Sequence, residues 1–204
     1  MPPKGRSSDS RPLSLRERNR LRTRQELLDA ALEVFAESGY GSATVETIAA
    51  RAGASKVTLY TYFPQGREEL FRELYEQVNS NLIEKASEIY AAEGRFNTRI
   101  VALAEALMDI AEKPLIGRFY SIDDPALDTA LNPVRGHASR FIANLIAKDL
   151  ASAQELRLLR TSAPPAAIAE LLVGSMRTAL SEVARDEVTS GDILQAMEAL
   201  VSGL

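Results

Sequence analysis

The 204-residue chain has no Cys, no Trp and a single His. Without Cys there is no disulfide, no thiolate metal site and no cysteine nucleophile. One His cannot serve a site that needs two imidazoles. That excludes the paired Glu-x-x-His motifs of a di-iron bundle and the H-E-x-x-H of a zinc hydrolase. Neither G-x-S-x-G nor G-x-x-x-x-G-K-[ST] occurs, so a serine-hydrolase elbow and a P-loop are absent as well. No apolar run approaches the roughly 20 residues of a membrane helix. The N-terminus lacks the apolar stretch of a signal peptide. These absences predict a soluble, cytoplasmic protein with no catalytic residues, no metal, no cofactor and no membrane partner.

Charge is unevenly placed. The formal net charge is −4, from 24 basic and 28 acidic residues. Residues 1–67 carry eleven basic and seven acidic groups, whereas 68–204 carry thirteen and twenty-one. A basic head on an acidic body predicts that the head meets a polyanion. Residues 1–15, rich in Pro, Ser, Gly and Arg, read as a disordered basic arm.

From there the pattern is helical throughout, with no convincing strand. Leu21, Gln25, Leu28, Leu32 and Phe35 alternate spacings of four and three, and Gly39 is a natural terminator. Thr44 and Ser55 are placed to cap two short helices separated by Gly53. Pro64 and Gly66 interrupt the chain again. A long stripe then runs from Leu70 to Ile89. A further helix over 97–112 is closed by Pro114. Asp124 and Pro125 form a cap and first turn. Helices through Phe141 to Leu150, Ile168 to Val183 and Ile193 to Leu204 follow. The class is all-α with about nine helices.

Residues 44–63, TVETIAARAGASKVTLYTYF, have the physics of a helix-turn-helix. The first short helix turns Val45, Ile48, Ala49 and Ala52 inward, and the second turns Leu59 and Phe63 inward. The other face of the second offers Ser55, Lys56, Val57, Thr58, Tyr60, Thr61 and Tyr62. It carries one cation, several hydroxyls and no carboxylate, which suits a phosphate-lined groove.

Here the sequence resembles the TetR family of transcriptional regulators. The resemblance runs from about Arg22 to Phe71. It rests on the Ala30-Ala31…Phe35-Ala36…Gly39-Tyr40 run, on Thr44, on I-A-x-x-A-G-x-S-K at the turn, and on T-L-Y-x-Y-F closing the second helix. One departure is visible. The family has a Lys shortly after F-P-x, whereas Pro64-Gln65-Gly66-Arg67 is one residue longer here, and Arg67 is offered for that role.

The resemblance implies a three-helix DNA-binding head over 16–67 and a ligand-binding and dimerisation body over 68–204. Thr44, Tyr60, Tyr62, Arg67, Arg22 and Arg24 would meet the DNA backbone. Ser55, Lys56, Val57, Thr58 and Thr61 would face the groove of a palindromic double-stranded operator. Leu107, Met108, Phe119, Tyr120, His137, Phe141 and Met176 are candidates to line an effector pocket. Leu172, Ser175, Ala179, Val183, Ile193, Met197, Leu200 and Leu204 are candidates for a homodimer seam. The implied function is a repressor released from its operator by a small molecule. An all-α enzyme and a helical protein-binding adaptor are the alternatives.

Overall fold

The computed structural model describes residues 14–127, 131, 134 and 136–204. All but the last two residues of the predicted arm, together with Pro133 and Arg135, lie outside the described residues. Among the described residues there are nine helices and no strand. They are α1 (Leu15–Ser42), α2 (Val45–Arg51), α3 (Lys56–Tyr62), α4 (Arg67–Ala91), α5 (Phe96–Ala111), α6 (Pro114–Tyr120), α7 (His137–Glu155), α8 (Pro165–Ala184) and α9 (Ser190–Ser202). No helix is long and apolar enough to cross a membrane.

The first helix begins inside the segment read as an arm. Ser14 caps it reciprocally with Glu17, which satisfies two orphan donors of the first turn. Its first three turns stand beyond the core. Leu21, placed by periodicity on the buried stripe, is 54% exposed. Burial starts at Leu27 and Leu28. Gly39, at φ 73° and ψ 173°, ends the regular helix where the spacing predicts, a backbone conformation that costs glycine little.

The head core closes on aromatic rings. Phe35, Phe63, Phe71 and Phe119 are fully buried. Phe71 meets Phe35 edge-on at 5.0 Å and Phe119 at 4.6 Å. Phe119 comes from α6, so this helix plugs the body into the head. The division placed at residue 67 is correspondingly not a division of cores. Leu70, Phe71 and Leu74 of α4 belong to the head core, and Leu82 and Ala86 farther along the same helix belong to the body core. Within the body, α5, α7, α8 and α9 pack around Ile100, Leu103, Ile146, Leu150 and Met176.

Two glycines set close approaches. At Gly117 an added Cβ would lie 2.3 Å from the Ala111 carbonyl oxygen, so only glycine lets α6 fold back against the end of α5. Gly66 has φ 63°, and a Cβ there would press on Val45 and Tyr60. The extra residue between Phe63 and α4 is absorbed in this turn.

Candidate nucleic-acid interface and effector cavity

The two short helices are capped by the residues the sequence marks. Thr44 Oγ1 accepts from the Thr47 amide at 3.1 Å, and Ser55 Oγ from the Thr58 amide at 3.0 Å. Ile48, Leu59 and Phe63 are fully buried between α1, α2 and α4. Inward anchoring of Leu59 and Phe63 leaves the opposite face of α3 in solvent. Val57 is 77% exposed, and Ser55, Lys56, Tyr60 and Thr61 are exposed with it. Tyr60 also lies over Gly66, beside Val45.

Not every predicted contact sits on that face. Tyr62 is half-buried against the head core. Thr58 is half-buried too, and its hydroxyl exchanges a bond with Ser55. Arg24 is held by both oxygens of Glu73 on α4, with its guanidinium 4.9 Å over the Phe63 ring. It joins α1 to α4, where the resemblance had offered it to the DNA backbone. Arg67 donates to the carbonyls of Tyr40, Gly41 and Ala43 at 2.8–3.3 Å and lies 4.7 Å over the Tyr40 ring. It gathers the orphan carbonyls at the end of α1, where the resemblance had offered it to a phosphate. Arg22 remains exposed and, among the described residues, pairs only with Glu26 on its own helix.

The fold also brings in a group that the sequence reading left out. Glu46, in the first turn of α2, forms an ion pair with Lys56. That hydrogen bond holds the Glu46 carboxyl below, and the Lys56 ammonium above, their usual ranges. The carboxylate-free face of α3 is therefore flanked by one carboxylate. Its ten-residue distance in sequence hides it. Arg51 clamps α2 to α1 through Glu33 and Glu37.

In the body, a narrow slot is lined by Leu82, Leu107, Tyr120, Ala138, Ser139, Ile142, Val173, Met176 and Arg177, with room of about 20 Å³, enough for roughly one water. An open cleft of about 460 Å³ adjoins it, with Tyr75, Asp123, Thr178, Ser181, Glu182 and Arg185 among its walls. Tyr120 and Arg177 line both. The Tyr120 hydroxyl donates to Asn79 Oδ1 at 2.8 Å, and its ring stacks on Tyr75 at 5.0 Å. Burial pushes the Tyr120 phenol well above its usual range.

Of the predicted pocket residues, Leu107, Tyr120 and Met176 line this slot. Phe119 does not, because it faces the head core. Met108 is fully buried in the body core, Phe141 packs half-buried against that core, and His137 is exposed in the first turn of α7. Arg177, which the sequence reading missed, is one position from Met176, and no helical periodicity marks it.

The predicted seam divides in the same way. Leu172, Ala179, Val183 and Met197 are buried in the chain's own core, and Ile193 and Leu204 pack half-buried against it. The stripes on α8 and α9 are thus first of all the inner faces of those helices. Ser175 lies on the outer face, as do Leu200 at 60% exposure and Leu171 at 76%.

A capped helix-turn-helix on an aromatic core, joined by α4 and α6 to a helical body with a cavity, defines a helix-turn-helix protein with a separate helical domain. Residues 27–74 match the family model of the bacterial regulatory proteins, tetR family. The head thus carries the DNA-binding domain of that family, and the match stops inside α4. It is 36% identical over 63 residues to the fatty acid metabolism regulator protein of Bacillus subtilis, which covers 31% of this chain and 32% of that one. In that match the chain spans about a third of the curated relative's length. The fold is shared more widely. The fatty acid degradation regulator FadR of Bacillus halodurans superposes with a TM-score of 0.75 at 18% identity, over 89% of this chain and 95% of that one. FadR of Bacillus subtilis, solved with stearoyl-CoA, gives 0.71 at 19% identity, over 88% and 98%.

Proposed function

We propose that this protein is a cytoplasmic transcriptional regulator that binds double-stranded DNA through α3 as a homodimer. It acts as a repressor and leaves a palindromic operator when a small molecule enters the body. The observation that carries this reading is the solvent face of α3. Lys56, Val57, Tyr60 and Thr61 stand exposed on a helix whose other side is locked by Leu59 and Phe63. In this reading Lys56, once it releases Glu46, reaches a base edge, Val57 a thymine methyl and Tyr60 a phosphate. The exposed arginines of the first turns of α1 add charge beside that helix.

One short reader helix covers few base pairs, so two copies are needed for two half-sites about 34 Å apart or a multiple of that. Leu171, Ser175 and Leu200 on the outer faces of α8 and α9 supply a surface for a four-helix seam. The coupling runs through α4 and α6, which both belong to the two cores.

Selection of bound duplexes from a random pool tests the reading. The expected outcome is a palindromic consensus whose binding weakens steeply with salt. Recovery of no consensus sinks it. Sedimentation of Leu200→Glu tests the seam, with a monomer expected and an unchanged dimer the contrary result.

A further inference from the structure

Tyr120 stands between two spaces of different character. Behind it lies the slot, walled by Leu82, Leu107, Ile142, Val173 and Met176. In front lies the open, polar cleft. Arg177 lines both, so it marks where they meet. It is exposed, and its guanidinium makes no ion pair or hydrogen bond among the described residues. Asp123, Glu182 and Arg185 line the cleft as well. Glu187 beside Glu182 holds that carboxyl above its usual range, against the pull of Arg185. Where the two spaces meet, therefore, a guanidinium without a salt bridge among the described residues lies beside an apolar interior.

We propose that this space takes an amphipathic carboxylate, its apolar chain in the slot and its head group on Arg177. The inference rests on the effector-regulated reading above and gives the effector its chemical class. A guanidinium suits a carboxylate because its planar fork offers two parallel N–H donors. The slot itself, with about 20 Å³ of room, is too small for a chain while Tyr120 stands in its wall. The chain enters when the Tyr120 ring leaves its stack on Tyr75 and gives up Asn79. Phe119, the next residue, is seated among the rings of the head core, so that displacement is delivered directly to the head.

The test is calorimetric titration of the full chain with octanoate, octan-1-ol and octylamine. Octanoate is expected to bind at least about tenfold more tightly than the other two, a difference of about 1.4 kcal/mol. Arg177→Gln should bring octanoate down to the alcohol. Tyr120→Ala, which opens that wall, should tighten decanoate. Circular dichroism confirms that both variants are folded. Equal binding of octanoate and octanol, octanoate binding unchanged in Arg177→Gln, or no binding of any straight-chain acid from hexanoate to dodecanoate each overturns the proposal. DNA binding measured on the same samples separates the two readings. Intact DNA binding without carboxylate binding overturns the ligand class alone. Carboxylate binding without DNA binding overturns the regulator alone.

Discussion

The head and the body are both helical, yet they fill their interiors differently. Four of the six phenylalanines lie in the head core, where Phe71 packs its ring against both Phe35 and Phe119. The body core is mostly Leu, Ile, Val and Ala, with Met108, Met176 and Met197. Flexible Met adapts to irregular spaces between aliphatic side chains, and Met176 lines the slot beside Tyr120. The difference suits two tasks. A reader helix must hold a fixed face, and a ligand space must yield. What joins the two is a pair of neighbouring residues on α6, Phe119 in the tight core and Tyr120 at the loose one.

The largest expected effect comes from removing that joint. Phe119→Ala should cost about 3–5 kcal/mol, as for a fully buried ring. If α6 ties the two cores together, head and body should then lose their single denaturation midpoint, monitored by circular dichroism and by tyrosine fluorescence. A smaller loss follows from Gly117→Ala, where the new methyl would meet the Ala111 carbonyl. Overpacking of this kind costs about 1–3 kcal/mol, and a wild-type urea midpoint would show that α6 can slide. Lower still is Tyr120→Phe, which leaves the buried Asn79 without its donor at a cost of about 1 kcal/mol. Thermal unfolding checks it, and it should weaken the joint without altering the head's DNA consensus.

The smallest effect belongs to the surface clamp of α1 on α2. Arg51 holds the Glu37 carboxyl below its usual 4.5. A depressed folded value means stability that is present above the unfolded value and lost as pH falls through the folded one. Between pH 7 and 5, Glu37→Gln should therefore leave a constant small difference in midpoint, and that difference should vanish in acid. A difference that persists in acid would assign the effect to packing.

Much of this was legible in the chain. Thr44 and Ser55 announce caps because a hydroxyl before an apolar-periodic run has an amide to receive. Ile48, Leu59 and Phe63 announce their burial by spacing. The arginines resist such reading. Arg22, Arg24 and Arg67 look alike in sequence, yet one stays in solvent, one bridges Glu73, and one gathers carbonyls. Long charged side chains choose partners across the fold, and those partners are set by helix packing. Periodicity likewise finds a buried face without saying what covers it. Hence Leu172, Ala179, Val183 and Met197 read equally well as a seam or as the chain's own core.

The sequence by itself determined the all-α class, the caps, the two short helices and the inward anchors that leave α3 facing solvent. These are local matters of period, propensity and hydrogen-bonding side chains within a few residues. Tertiary structure alone decided that Phe119 enters the head while Tyr120 lines the body's slot, that Glu46 reaches Lys56, and that Arg177 borders both the slot and the cleft. Each of these depends on which helices meet, and such meetings join residues far apart in a chain whose periodicity records only its own faces.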